Sequence, residues 1–183
     1  MAHRHAALTR AATTTVRSAP VRISVVGEPD LPELLPLMRG YCDFYGVAPR
    51  DDALLDLART LLTDPDCEGF QLIARDDDGR PVGFATVYWS RSTLAAARTA
   101  IMNDLFVHSD ARGTGLAEAL VEECRVRSGR GGAVSMGWQT QRDNTRAQRL
   151  YERIGATRAE WIDYSLDTTA RAARRAPESD GTP

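Results

Sequence analysis

The apolar positions of this chain change period several times, and each change marks an element. Residues 21–26 (VRISVV) alternate and are rich in β-branched side chains, the pattern of a half-buried strand. Asp30 is placed to cap the next segment, LPELLPLMRGYCDFYG at 31–46, which reads as a helix. Pro32 falls in its first turn, where the missing N–H is no loss, whereas Pro36 falls deeper and is expected to kink it. DDALLDLARTLL at 51–62 keeps the helical period, with Leu54, Leu57, Ala58 and Leu61 on one face. Then the period drops: strands at 70–75 and 82–90, joined by a turn at 76–79, predict a hairpin. Residues 99–108 form a further strand, largely apolar and therefore expected at the centre of a sheet.

After that strand the pattern breaks at 109–115, a short polar stretch bearing glycines, and leads directly into LAEALVEECRVR at 116–127. Leu116, Leu120, Val121 and Cys124 make an apolar stripe at helical spacing, ended by the glycine-rich break at 129–132. Residues 133–140 predict a strand, 144–154 an amphipathic helix, and 158–166 a final strand or pair. The order β-α-α-β-β-β-α-β-α-β predicts one mixed α/β domain over 21–167, with a disordered tail at 1–20 and a flexible one at 168–183.

The chemistry concentrates in two segments. In Asp104-Leu-Phe-Val-His-Ser-Asp-Ala-Arg-Gly-Thr-Gly-Leu-Ala117 a strand ends, a tight Arg112-Gly113-Thr114-Gly115 turn follows, and a helix begins at once. Backbone N–H groups converge there at the positive end of the helix dipole, and the glycines let an anion approach without a Cβ in the way. Taken alone, the turn fits an ordinary left-handed connection as well as an anion cradle. It is no P-loop, lacking Gly-Lys-Ser/Thr, and Glu118 stands where a dinucleotide fingerprint needs its third glycine. In the second segment, Asn144 to Ala156, the residues Ala147, Leu150, Tyr151 and Ile154 share one helical face and Gly155 stops the helix. Tyr151 alone fits a core tyrosine as well as a general acid that is neutral at pH 7.

Together these segments resemble the GCN5-related N-acetyltransferase (GNAT) superfamily. Arg112-Gly113-Thr114-Gly115-Leu116-Ala117 is similar, position for position, to its Arg/Gln-x-x-Gly-x-Gly/Ala signature, and Asn144 to Gly155 resembles its downstream helix. The resemblance spans about residues 23–166 but is specific only over 101–164, and within the family the wording Asp-Leu-Phe-Val then Ser-Asp-Ala-Arg-Gly is closest to the diamine and spermidine acetyltransferase-like branch. It implies a central mixed sheet of about seven strands flanked by about four helices. It also implies acetyl-CoA as cosubstrate, its pyrophosphate at Arg112, Gly113, Thr114, Gly115, Leu116 and Ala117, and its pantetheine arm along Leu105, Phe106 and Val107 with Asn144 and Ala147 nearby. Backbone groups of that strand would polarise the thioester carbonyl, and Tyr151 matches the tyrosine that protonates the departing thiolate.

A departure bears on the acceptor side. The diamine-like branch has a glutamate immediately before Asp104, where this chain has Asn103, and asparagine cannot accept a proton. Asp104, a water chain or Asp43 is left as base for an amine whose free pKa is about 10. Tyr41, Phe44 and Tyr45 with Asp43 on the first helix, and Trp89, Asn103 and Trp138 near strand ends, are candidates for the acceptor site, where aromatic faces and acids suit a cation; they serve equally as core or dimer contacts. The expected activity is acetyl transfer to a primary amine on a small cationic molecule (polyamine-like, amino acid or aminoglycoside) or a peptide lysine. A non-catalytic acyl-CoA-binding sensor or scaffold is the alternative.

Composition narrows this modestly. A formal net charge of −2 argues against nucleic acid as partner. Every basic side chain apart from the histidines is arginine, so the chain has no lysine of its own to acetylate. Cys42, Cys67 and Cys124 form no CxxC, which suggests a reducing, cytoplasmic setting, and His3, His5 and His108 are too scattered for a metal site, so none is expected. No run approaches the roughly 20 apolar residues of a membrane span. The family resemblance implies a homodimer, through 161–166 or the first helices.

Overall fold

Apolar runs at the centre of this chain are long enough to bury a sheet on both faces, and they do. The structure, a computed structural model, describes residues 21–168. The expected tails at 1–20 and 168–183 lie, apart from Thr168, outside the described residues. The chain divides into two units, one ending at Thr145 and one beginning at Arg146.

The first unit is built on a five-stranded sheet: β1 (Arg22–Val25), β2 (Gly69–Arg75), β3 (Pro81–Ser92), β4 (Ala97–Val107) and β5 (Met136–Gly137), lying in that order. Neighbours from β1 to β4 are antiparallel, and β5 runs parallel to β4. Helices α1 (Leu31–Phe44) and α2 (Asp51–Thr63) cover one face: Leu34, Leu37, Met38, Leu54 and Ala58 form one cluster with Ile73 and Phe84 of the sheet. Each large apolar side chain so buried contributes about 1.5–3 kcal/mol. Helix α3 (Leu116–Arg130) covers the other face, its Leu116 and Leu120 lying over Gly83 of β3. Strands β2 and β3 are therefore enclosed on both sides, which explains why FQLIA and VGFATV read as nearly unbroken apolar runs.

Two features of this unit shape the surroundings of β4. Helix α1 continues through Pro36, and its Gly40 faces Phe106 so closely that a Cβ there would lie 2.7 Å from the ring's Cζ. In β4 the register with β3 shifts: Thr86 opposes Asp104 while Val87 opposes Met102, so Asn103 is an extra, bulged residue. The bulge puts Asp104 on the same face as Phe106 and Phe84, the face that α1 covers.

The strand expected at 133–140 is reduced to Met136–Gly137, paired with Ala100 and Ile101 only. Beyond Ile101 the β4 edge, from Met102 to Val107, has no strand partner on that side among the described residues. β4 and β5 thus part after a short common stretch.

The second unit holds nearly all of α4 (Thr145–Arg153) and, after it, a described segment with no helix or strand. Gly155, at φ 81°, ends the helix, and Ala156 N–H donates to the Tyr151 carbonyl at 2.9 Å. The strand expected at 158–166 does not form, so the described residues hold five strands rather than about seven. Trp161, Ile162, Tyr164 and Leu166 have strand-like alternation and propensity but remain exposed, because a strand needs a paired neighbour and propensity alone does not supply one.

Candidate functional site

Asp104 lies half-buried in β4, opposite Thr86 of β3. Its carboxyl is raised above the ordinary carboxylate value, chiefly by burial; hydrogen bonding from Thr86, Tyr41 and Asn103 pulls the other way. Asn103 Nδ2 donates to Asp104 Oδ1 at 3.0 Å, and the Tyr41 hydroxyl also reaches the Asn103 carbonyl at 3.4 Å. Behind it, the Gln71 amide donates to Thr86 Oγ1 at 3.0 Å. Neither Gln71 nor Thr86 is among the residues that the sequence points to. Their one signal in it is that each is a polar residue in the middle of an otherwise apolar strand.

Aromatic rings lead from the surface toward this carboxyl. Phe44 and Tyr45 meet edge-on with centroids 5.0 Å apart, as do Tyr45 and Tyr41, and Tyr41 lies 5.9 Å from Phe84. Phe44 and Tyr45 are exposed at 55% and 38%, whereas Phe84 is buried. Burial, with the Asp104 carboxyl beside it, pushes the Tyr41 phenol well above its ordinary value, and Tyr88 of β3 is raised for the same reasons. Both hydroxyls stay protonated near neutrality.

Trp89 does not join this group. Its indole packs on Gly131 at the end of α3, donates to the Pro65 carbonyl at 2.8 Å, and carries the Arg98 guanidinium 5.0 Å from its ring centroid. The even and odd residues of β3 face opposite ways, so Trp89 sits on the α3 side of the sheet. Asp43 lies on α1 between Cys42 and Phe44; Trp138 is half-buried one residue past β5.

The turn between β4 and α3 has the geometry its glycines require. Gly113 and Gly115 adopt φ of 85° and 88°, and nothing lies within 4 Å of where a Cβ would point at either. Gly115 is also the residue preceding α3, and its side-chain-free cap leaves the first amides of the helix for another acceptor. The backbone N–H groups of Gly113, Gly115, Leu116 and Ala117 make no backbone hydrogen bond among the described residues. Two side chains fix the loop: Arg112 Nε donates to the Val107 carbonyl at 3.1 Å, and Thr114 Oγ1 donates to the Ala111 carbonyl at 2.8 Å. Arg112 thus holds the end of β4 as well as contributing charge. Such an open nest of amides at a helix start fits a pyrophosphate. Leu105, Phe106 and Val107, all half-buried, lie just before it on the β4 edge that β5 leaves unpaired.

Asn144, whose N–H donates to the Gln141 carbonyl at 3.1 Å, precedes α4, and Ala147 and Tyr151 are half-buried on it. In the second unit Arg158 ties α4 to the following segment through Gln148 and Glu152, at 3.1 Å each.

Residues 34–156 match the model of the Acetyltransferase (GNAT) family. The chain belongs to this family. It is an acyltransferase of GNAT type. It is 29% identical over 143 residues to the uncharacterized N-acetyltransferase YhfO of Bacillus subtilis (strain 168), covering 78% of this chain and 94% of that protein. Among solved structures, a probable acetyltransferase is 30% identical at a TM-score of 0.70, with 80% of this acetyltransferase and 97% of that chain covered. The ribosomal-protein-alanine N-acetyltransferase of Brucella melitensis biovar Abortus 2308 is 27% identical at a TM-score of 0.65, with coverage of 81% and 99%. No described helix is long and apolar enough to cross a membrane.

Proposed function

We propose that the enzyme transfers an acetyl group from acetyl-CoA to a primary amine, carried by a small cationic molecule or a peptide lysine, with Asp104 as the base. The observation that carries this reading is the half-buried carboxyl of Asp104, its pKa raised chiefly by desolvation, at the inner end of the Tyr41, Phe44 and Tyr45 rings. Aromatic faces and a carboxyl recognise an alkylammonium, and a base of raised pKa is better matched to an amine proton than a surface aspartate is. Asn103, which has no basic atom, serves as a donor to Asp104 instead.

Acetyl-CoA, when bound, supplies the acyl group as an activated thioester. The amides of Gly113, Gly115, Leu116 and Ala117 hold its pyrophosphate, and the free β4 edge at Leu105–Val107 offers backbone partners for its arm. Asp104 takes the proton of the attacking amine, directly or through water, and Tyr151 Oη gives one to the leaving sulfur. The Tyr151 role rests on the family's motif and on the place of Tyr151 in the sequence of α4. A homodimer within a cytoplasmic setting completes the proposal.

The test is a thiol-release assay with acetyl-CoA against polyamines, amino acids, aminoglycosides and a lysine peptide, with Tyr151→Phe beside the wild type. Turnover on one amine class, reduced about 10²- to 10⁴-fold in Tyr151→Phe, is the expected result. Undiminished turnover in Tyr151→Phe removes the general-acid assignment. Turnover confined to uncharged acceptors removes the cationic substrate.

A further inference from the structure

The candidate base stands at the end of a polar row that crosses three strands. Register places Gln71 of β2 opposite Thr86 of β3, and Thr86 opposite Asp104 of β4. Gln71 and Thr86 are 3% and 0% exposed, so neither can touch an acceptor from solvent. Every neighbour on these strands, from Phe70 and Leu72 to Ala85 and Val87, is apolar and buried. The row is thus the only polar path among the described residues from the core of the sheet to Asp104.

Its direction follows from the hydrogen count. Gln71 Nε2 donates to Thr86 Oγ1 at 3.0 Å, occupying a lone pair of the hydroxyl and leaving its single hydrogen to turn toward Asp104, its partner in the strand register. With the amide turned the other way, Thr86 would have to donate to Gln71 and Asp104 would lose that donor. In this orientation Gln71 Oε1 has no hydrogen-bond partner among the described residues.

We infer that Gln71 and Thr86 are positioning residues: Gln71 aims the Thr86 hydroxyl at the Asp104 carboxyl, and this holds the carboxyl in one orientation to take the acceptor's proton. The inference rests on the reading of Asp104 as base. Tyr41 and Cys42 of α1 and Tyr88 of β3 are the titratable groups acting with Asp104, with Tyr45, Asp43 and Arg39 of α1 and Glu68 one step further out. No titratable group of α2, α3, β2 or β5 acts on it among the described residues. The Tyr41, Cys42 and Tyr88 groups are all raised, so they remain neutral where a carboxyl titrates.

The test is a carbon-13 NMR titration of the Asp104 carboxyl, assigned with Asp104→Asn, in wild type, Thr86→Val, Thr86→Ser and Gln71→Met. The titration itself requires no knowledge of the acceptor. Loss of the donor in Thr86→Val should raise the Asp104 midpoint by about one pH unit, since a hydrogen bond to a charged group carries roughly a tenfold bias. Gln71→Met should move it the same way by less, and Thr86→Ser should restore it. The acid limb of kcat/KM should follow each shift, with KM for acetyl-CoA unchanged. A midpoint unmoved in Thr86→Val overturns the row; if that variant does not fold, an unmoved midpoint in Gln71→Met does so. Moved midpoints with an Asp104→Asn enzyme of wild-type activity support the row and overturn the base, which separates the two readings.

Discussion

A carboxyl group set among tyrosines, with hydrogen-bond donors in place of a cation, is stabilised in its neutral form relative to the unfolded chain. Folded Asp104 has a raised pKa, so above the ordinary value of 3.8 the folded state binds more protons than the unfolded one. Its contribution to stability is therefore least unfavourable below 3.8 and worsens as pH rises through the raised value. Asp104→Asn removes this dependence. Chemical denaturation at a series of pH values should show wild type losing stability relative to Asp104→Asn as pH rises above the ordinary carboxylate value. A parallel pair of curves would mean that Asp104 titrates as it does in the unfolded chain. Turnover should fall by at least about 100-fold in the same variant. The sequence made Asp104 and Tyr41 visible, since an acid in an apolar strand and an aromatic cluster on a helix both stand out. Gln71 and Thr86 stayed hidden because a single polar residue in a strand looks like ordinary in-out alternation; only the register that aligns three such residues reveals them.

Elements carry two further consequences. The turn before α3 depends on glycine at a left-handed position, where any other residue is strained by about 1–2 kcal/mol. A Cβ on Gly115 points into open space, where the cosubstrate is proposed to lie, rather than into protein. Gly115→Ala should therefore raise KM for acetyl-CoA about tenfold or more, with a loss of folding stability no larger than the backbone strain. A change in kcat alone would place the loop's role elsewhere. Gly40 is the opposite case. Its φ is helical, and alanine there should gain up to about 1 kcal/mol of helix propensity, yet the Cβ would meet the Phe106 ring at 2.7 Å. Overpacking of this kind costs about 1–3 kcal/mol, so Gly40→Ala should lower the melting temperature and Phe106→Leu in the same chain should recover much of the loss. Additive losses would show that α1 does not lean on Phe106. The long elements were legible because their period is theirs alone: α1 to α3 and the β2–β3 hairpin follow from apolar spacing and turn residues. β5 is shorter than its own residues suggest, since its length is set by where β4 leaves it at Ile101, and the β4 bulge left no mark in a run as apolar as IMNDLFV.

At the scale of the whole molecule, the longest run of exposed large apolar side chains among the described residues lies in the second unit. Between 161 and 166 the side chains alternate, Ile162, Tyr164 and Leu166 against Asp163 and Ser165, as in a strand with one face to bury. Yet Trp161, Tyr164 and Leu166 are exposed at 83%, 90% and 91%, and Ile162 at 72%. Burying such side chains is worth about 1.5–3 kcal/mol each, so a second copy of the chain that covered them would bind with useful affinity. This is the physical ground for the homodimer expected from the family, and it favours a contact in the segment whose strand did not form. Light scattering on the purified enzyme should give twice the chain's 20.1 kDa, and Ile162→Asp with Tyr164→Asp should return the mass to that of one chain. Because neither residue belongs to the Asp104 site, a monomeric variant with unchanged kcat/KM would assign the segment to assembly alone. A wild type that is monomeric at all concentrations would leave the alternation unexplained by self-association and remove the dimer.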